Sequence, residues 1–432
     1  MSNASARAKR VRRLSEAKPA GAYPSRVQGR ASAPRVRVKL TLGGARPYYA
    51  AGLMSGTSHD GVSAAIVAID ETRTVPARVL AFRTYPYPPK FRARLLAASD
   101  RALGAGEISE LNFALGRAFG FATIKLAREA GFALERLSFI GSHGHTFFHL
   151  PPRRAARGQV PSTLQLGEAT VIAAMTGVPV IADFRPMDIA LGGEGAPLAP
   201  MAHLWMFGDP KRGRIVQNIG GIGNATYLPP AAKAGDKRLI AFDTGPGVMV
   251  LDALVNKLSN GRMRMDRGGR MAAMGRPHRG MLAELMDTAY FKRKPPKSTG
   301  REEFGPSFLE RIETRARALS IPPRDLVATV TALTARSIAQ ACHRFIMPLG
   351  PVEQLIATGG GASNPVLMRM IASEMPEVEV LTASQAGIDG DALEAIAFVI
   401  LAYQMLRGLP GNIPSVTGAR SNAILGKLTL PP

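Results

Sequence analysis

The sequence predicts an α/β protein of two lobes with a ligand cleft between them, and three observations carry that expectation. Apolar strands alternate with helical patterns from Tyr48 onward. One theme occurs twice: an antiparallel strand pair around a polar, Gly-rich turn, followed by alternating helices and strands. Gly-rich turns recur at strand exits and hairpins in both halves. A chain of 432 residues is long enough for two or three domains at roughly 150 residues each. The domain reading is a basic N-terminal extension over 1–47, a first lobe over 48–190 and a second lobe over 191–389. The C-terminal helix region, 390–425, completes the first lobe.

Composition narrows the class. Apolar residues make up 46% of the chain, enough for a large core. A lone cysteine, Cys342, excludes an internal disulfide framework and a multi-cysteine metal site, and it fits a reducing cytoplasm. No apolar run approaches the ~20 residues that span a bilayer, and the most apolar stretch, Ala395 to Met405, is too short. The net charge of +23 reads as a nucleic-acid signal until it is located. Before Pro47 stand twelve basic residues and one acid, Glu16, so eleven of the 23 charges belong to a tail rich in Ala, Arg, Ser, Gly and Pro. The tail has no periodicity and no apolar secretory segment, which predicts disorder. The expected protein is cytoplasmic, without a membrane or specific nucleic-acid partner; nucleic-acid binding through the tail is the competing class.

The elements follow in order. Tyr48 to Met54 and Val62 to Ile69 are apolar strands joined by Ser55 to Gly61, a hairpin. Val79 to Tyr85 is a third strand, stopped by Pro86, Pro88 and Pro89. Helical spacing covers Phe91 to Leu103 and Glu107 to Ala130. A short strand, Ser138 to Gly141, enters a polar turn at Ser142 to Thr146. Glu168 to Met175 is helical, and Pro179 to Ala182 is a buried strand ending at Asp183. A Gly-rich link, Leu191 to Ala196, leads to a helix holding Trp205. The second strand cluster comprises Ile215 to Gly220, Ala225 to Leu228 and Leu239 to Phe242. Helices at Val248 to Leu258, Phe304 to Leu319 and Asp325 to Ile346 precede strand Leu355 to Thr358. A helix, strand Val378 to Leu381 and a last helix, Asp391 to Arg407, complete the chain.

The turns carry the chemistry. Ser55-Gly56-Thr57-Ser58-His59-Asp60-Gly61 offers consecutive backbone N–H groups and hydroxyls, and its glycines let the backbone approach an anion closely. Asp60 can orient a metal ion or its waters. Asn218 to Asn224 repeats the pattern in the second half. Asp243 to Gly247 and Gly359 to Pro365 each follow a strand and precede a helix, so their amides can face an anion at a helix N-terminus. No GK[ST] follows, which excludes a Walker A loop. Asp183, at a strand exit, reads equally as a general base or as a turn-capping aspartate. His143, His145 and His149 sit in the polar turn region without a ligand-spaced Cys or acid, so hydrogen bonding to a sugar or to the turn outranks a metal site. His59 reads as a solvent-facing loop residue. Lys297 to Glu302 reads as a charged loop able to bind a carboxylate or phosphate.

Ten motifs stand in the order found in anhydro-N-acetylmuramic acid kinases, and the chain resembles that family from Pro47 to its C-terminus. They include GLMSGTSHDG (Gly52 to Gly61), GSHGHT (Gly141 to Thr146), TLQLGE (Thr163 to Glu168), ADFRPMD (Ala182 to Asp188), NIGGIGN (Asn218 to Asn224), FDTGPG (Phe242 to Gly247) and TGGGASNP (Thr358 to Pro365). The resemblance implies two RNase-H-like lobes of the actin/Hsp70/hexokinase type with an inter-lobe ATP cleft. It implies that Gly56, Thr57, Ser58, His59, Asp60, Gly61, Val62 and Ser63 form the ATP phosphate loop. Asn218, Gly220 and Gly221 correspond to the second phosphate loop, and Gly359, Gly360, Gly361 and Asn364 to the adenosine side. His143, Gly144, His145, Thr146, Gln165 and Glu194 correspond to the amino-sugar site, and Asp183 to the catalytic carboxylate. The implied reaction phosphorylates 1,6-anhydro-N-acetylmuramate with ATP while water opens the anhydro bridge. The implied product is N-acetylmuramate 6-phosphate, in cell-wall recycling. Mg²⁺ is implied through ATP rather than through protein ligands, and a homodimer is left open.

The sequence also departs from the family pattern. Ser63 stands where an Asp is usual, His59 where a Leu is, His145 where a Gln is, Pro186 and Met187 where two arginines are, Val248 where an Asn is, and Gly390 where a Pro is. The alternatives are a same-fold kinase for another sugar and a weak ATP-binding paralogue. Because every motif lies after the basic tail, deleting the residues before Tyr48 should leave kcat and KM nearly unchanged. Retention on nucleic acid should vanish at moderate salt if it is counterion release alone; salt-resistant, sequence-selective DNA binding would revive the competing class.

Overall fold

The structure is a computed structural model that describes residues 46–432 apart from 57–58, 73–75 and 100. The expected disorder of the basic extension lies outside the described residues except at Arg46 and Pro47, where Arg46 pairs with Glu71. The strands are β1 (Tyr48–Ser55), β2 (Gly61–Ile69), β3 (Ala77–Pro86), β4 (Leu137–Leu150), β5 (Ser162–Leu166), β6 (Val180–Ala182), β7 (Arg214–Ile219), β8 (Ile222–Leu228), β9 (Ile240–Pro246), β10 (Gln354–Thr358), β11 (Glu379–Thr382) and β12 (Lys427–Thr429). The first sheet runs β12-β6-β4-β1-β2-β3 with β5 on β4, and the second runs β11-β10-β7-β8-β9.

Within both sheets the same core order appears. Three strands form an antiparallel meander, and a fourth and fifth add in parallel on the side of the first. Reading β3-β2-β1-β4-β6 and β9-β8-β7-β10-β11 gives 3-2-1-4-5 twice, the RNase-H-like arrangement of the actin/Hsp70/hexokinase type. The repetition seen in the sequence is therefore a repetition of topology.

The principal helices are α1 (Pro89–Ser99), α2 (Ala105–Glu129), α3 (Ala169–Thr176), α4 (Arg185–Ala190), α5 (Ala199–Phe207), α6 (Met249–Leu258), α7 (Arg279–Met286), α8 (Pro306–Ala318), α9 (Pro323–Ala341), α10 (Pro365–Glu374) and α11 (Leu393–Leu406). On α2, Leu111, Leu115, Phe119, Ala122 and Leu126 recur every three or four residues and are buried with Ile140 and Val180 on one face of the first sheet and Ile172 of α3. Helix α11 covers the other face. Its apolar residues leave only Glu394 and Met405 outside the interior, as expected of a helix enclosed on all sides. One apolar cluster runs from Ala50 and Phe139 through α11 and Met201 and Phe207 of α5 to Val216 and Ile356 of the second sheet, so the two lobes share a core. Among the described residues no helix is long and apolar enough to cross a membrane.

Several expectations are corrected. The expected polar turn at Ser142 to Thr146 is extended strand within β4, because β1 pairs with it through His145 and β5 pairs with it beyond. Its polar residues look like a turn in sequence, yet Ser142, His143 and His145 are buried. Strand β5, inside the TLQLGE motif, was not anticipated, nor was β12. Between Asp183 and the Gly-rich link at Leu191 to Ala196 stands α4, which the sequence did not show and whose first turn carries Pro186. Helix α1 starts at Pro89 and ends at Ser99 rather than at Leu103, and α8 starts at Pro306 because Gly305 before it is extended. Helix α9 ends at Ala341 and continues as a π turn over Cys342–Ile346.

Two glycines set the distance between α11 and the first sheet. A Cβ at Gly52 of β1 would lie 2.1 Å from the Ala395 carbonyl oxygen, and one at Gly141 of β4 would lie 2.1 Å from that of Phe398. Neither backbone can yield without moving the helix. Gly141→Ala should therefore lower unfolding stability by about 1–3 kcal/mol or more. Gly106→Ala, where a Cβ meets nothing within 4 Å, should be neutral or slightly stabilising in α2. Chemical denaturation of the two variants checks the contrast.

Candidate active site

Strand β1 delivers the first loop. The His59 amide donates to the Gly56 carbonyl at 3.2 Å, and Tyr87 N–H holds the Asp60 carbonyl at 3.0 Å. Thr57 and Ser58 lie outside the described residues. His59 is corrected from a solvent-facing residue to a buried one: its φ is 55°, and its ring meets that of His145 edge-on at 4.7 Å. Arg92 Nε donates to its carbonyl at 3.0 Å. Gly61 is sterically required, since a Cβ would lie 2.2 Å from the Tyr85 carbonyl oxygen. Val62 points into the core beneath α2, and the Ser63 hydroxyl bonds Thr84 Oγ1 at 2.9 Å.

The second lobe brings its glycine turns together at the ends of β7 and β10. Amides of Gly247 and Val248 donate to the carbonyls of Gly221 and Gly220 at 3.0 and 2.8 Å, which staples the β7–β8 turn to the start of α6. Asn218 Oδ1 accepts from Thr358 Oγ1 at 3.4 Å. A Cβ at Gly359 would lie 2.4 Å from Asn218 Oδ1, and one at Gly361 would lie 2.3 Å from Ile219. The space beside Gly360 is open. Asn364 caps α10 through Oδ1, accepting from Val366 and Leu367 amides at 3.0 and 3.1 Å. Asp243 accepts from the Thr299 amide at 2.9 Å, and burial raises its pKa to about 6 against the pull of Lys297. The Lys297 amine is pushed down to about 8, chiefly by burial. It is buried among Tyr290, Phe345 and Phe242, 4.5, 5.0 and 5.8 Å from their ring centres. Lys297 is thus an interior cation, not the solvated loop residue its sequence context predicts.

On the first-lobe side, β4 and α4 build a buried polar wall. His143 Nδ1–H donates to the Gly144 carbonyl at 3.0 Å, which leaves Nε2 to accept from Arg185 Nε and Nη2 at 3.1 and 2.9 Å. Burial and then the Arg185 charge hold His143 neutral, its pKa well below the usual value. Arg185 Nη1 donates to the Gly195 carbonyl at 2.8 Å. Burial lowers its pKa to about 10 despite Asp188 and Glu394 nearby. Asp188, fully buried, accepts from the Gly195 amide at 2.8 Å, Asn412 Nδ2 at 2.8 Å and Thr417 Oγ1 at 2.7 Å. These bonds suspend the 192–195 loop, whose Glu194 meets Arg153 at 3.4 Å and has its pKa raised by burial. Thr146 lies opposite Gln165. Gln165 donates to Thr163 Oγ1 at 2.8 Å while its buried Oε1 has no hydrogen-bond partner.

Asp183 follows β6 with a φ of 56°, a left-handed conformation rare for a residue with a Cβ. It turns the chain from strand into α4, and its Oδ2 accepts from Lys427 Nζ at 2.8 Å. Glu394 was not singled out from the sequence, although it is the sole acid in an otherwise apolar helix. Its carboxylate reaches solvent yet is walled by protein. Burial raises its pKa, Arg185 opposes the shift and Asp60 adds to it, so the three charges share one electrostatic neighbourhood. Among the described residues no three His, Cys, Asp or Glu side chains group as metal ligands.

Two RNase-H-like lobes with glycine turns on each, and carboxylates at the strand and helix ends of the first, place the chain in the actin/Hsp70/hexokinase fold class. The sequence profile described as Anhydro-N-acetylmuramic acid kinase matches residues 48–431. The chain is 43% identical over 383 residues to the anhydro-N-acetylmuramic acid kinase of Caldanaerobacter subterraneus subsp. tengcongensis, covering 88% of this chain and 96% of that one. It is 38% identical over 388 residues to the protein of the same name from Rippkaea orientalis, covering 89% of this chain and 100% of that one. The chain belongs to the anhydro-N-acetylmuramic acid kinase family.

The two histidines in contact give the site a pH signature. Burial first, and then the neighbouring His59, push the His145 pKa from 6.5 to about 4. The unfolded chain takes up that proton near pH 6.5, so this stability is complete above 6.5 and is lost as pH falls towards 4. The loss at pH 5 is roughly 2 kcal/mol. His145→Gln should narrow the fall in melting temperature between pH 7 and pH 5; an unchanged fall would show that His145 protonates freely in the folded protein.

Proposed function

We propose that the cleft binds ATP and 1,6-anhydro-N-acetylmuramic acid and produces ADP and N-acetylmuramate 6-phosphate in cytoplasmic cell-wall recycling. The family membership supports the substrate. The single observation that supports the mechanism is Asp183, a carboxylate at a strand end in a left-handed conformation, its side chain open to solvent. In this reading water attacks C1 and gives its proton to Asp183. The C1–O6 bond breaks, and O6 takes the γ-phosphoryl group of ATP. Amides of the Gly56 to Gly61 loop and of the turns at Gly220, Gly221, Gly359 and Gly360 bind the nucleotide, with Asn218 supporting Gly359. Gln165 Oε1 is a buried acceptor lacking a partner, suited to a sugar hydroxyl or the amide N–H. Thr146 and Glu194 add further hydrogen-bonding groups. Arg185 and His143 act from behind, holding the loop that carries Glu194.

Asp60 and Glu394, which share one electrostatic neighbourhood, would supply one or two carboxylates to Mg²⁺ carried by ATP. Bound there, Mg²⁺ would neutralise charge on the phosphates. Asp183→Asn keeps the size of the side chain but removes its basicity. Sugar turnover should fall ~10²–10⁴-fold while ATP affinity survives. Mass spectrometry of the parent reaction should show a product heavier than the sugar by one phosphoryl group plus one water. Turnover of Asp183→Asn within a few-fold of the parent would defeat the base assignment. Intact sugar and ATP in the parent reaction would instead favour a binding-only paralogue.

A further inference from the structure

Strand β12 pairs antiparallel with β6, Lys427 opposite Ala182, so Lys427 stands beside the residue that precedes Asp183. The approach is tight. Gly426 has a φ of 107°, and a Cβ there would lie 2.7 Å from Ile181 and 3.3 Å from the Phe184 ring. Leu425 before it is fully buried, and Phe184 is locked in the shared core. The last strand is therefore seated flush against the turn that presents Asp183, and the position of the Lys427 backbone is fixed by packing.

We infer that Lys427 is a positioning residue for the phosphoryl-transfer reaction: it holds one oxygen of Asp183 so that the other faces the attacking water. The inference rests on Asp183 being the base. Lys427 Nζ donates to Oδ2 at 2.8 Å, while among the described residues Oδ1 takes no hydrogen bond. The terminal torsion of a carboxylate is broad and roughly two-fold, so an unheld aspartate presents either oxygen in a range of orientations. A single charge-assisted bond breaks that equivalence. Arg185 does not share the task, because its guanidinium is engaged by His143 and the Gly195 carbonyl. The Asp183–Lys427 pair is open to water, with side chains 37% and 69% exposed. Such a pair adds little to stability, so its consequence lies in alignment.

Steady-state kinetics of the full chain test this. Lys427→Met should lower kcat about 3- to 10-fold with KM for ATP unchanged, the pattern of a lost transition-state alignment. Lys427→Arg, which keeps a cationic donor, should recover most of that loss. In an Asp183→Asn background Lys427→Met should have no further effect, because both changes act on one group. The inference is overturned if Lys427→Met matches the parent while Asp183→Asn collapses. It is overturned too if the Lys427→Met loss persists undiminished without Asp183, or if it tracks a lowered melting temperature that Lys427→Arg does not restore. High activity in Asp183→Asn alone would identify failure of the base reading itself.

Discussion

The close contact of α11 with the first sheet is the constraint on which the rest of the molecule depends. At Gly52 and Gly141 there is no room for a side chain between strand backbone and helix backbone. That contact draws an apolar helix into the centre of the protein, where its other side meets α5 and, through it, the second sheet. The same helix carries Glu394 at its first turn. It also carries Phe398, whose ring packs on His143 at 4.5 Å and on Phe184 at 5.6 Å. The residues flanking Asp183 and Arg185 are thus held by the element that joins the lobes.

Burying Arg185, Asp188 and His143 is costly unless each finds partners, since an uncompensated interior charge is among the most destabilising features a fold can hold. Here each of the three has directional partners. Arg185 and Asp188 bind the carbonyl and amide of the same residue, Gly195, from opposite signs. Asp188 also receives Asn412 and Thr417 from the C-terminal segment. The network fixes the 192–195 loop by joining three distant stretches of chain, and its polarity serves specificity of position more than stability.

The family pattern and the structure meet at the altered residues. His59 and His145 both depart from the usual pattern, and the fold places their rings in contact, so the two changes form one local substitution rather than two independent ones. Ser55 Oγ lies 3.2 Å from His145 Nδ1 and accepts from the Tyr87 hydroxyl at 2.9 Å. A second histidine therefore occupies a neutral, hydrogen-bonded setting beside the loop that follows β1. Ser63, where an acid is usual, instead bonds Thr84.

The sequence by itself determined the doubled antiparallel strand pair, the alternation of strands and helices, and the glycine turns. Each of these is a local requirement: strand periodicity, helix spacing, or a backbone that needs positive φ or close approach and so admits only glycine. Asp183 was legible for the same reason, as a carboxylate where a buried strand stops. The tertiary structure alone decided the extension of β4 through Ser142 to Thr146, the burial of His59, the interior setting of Lys297 and the place of Glu394 beside Arg185. It alone brought Lys427 to Asp183, 244 residues away in the chain. Those outcomes depend on partners from other elements, β5, β12 and α11. A residue's own neighbours in sequence carry no record of which distant surface will cover it.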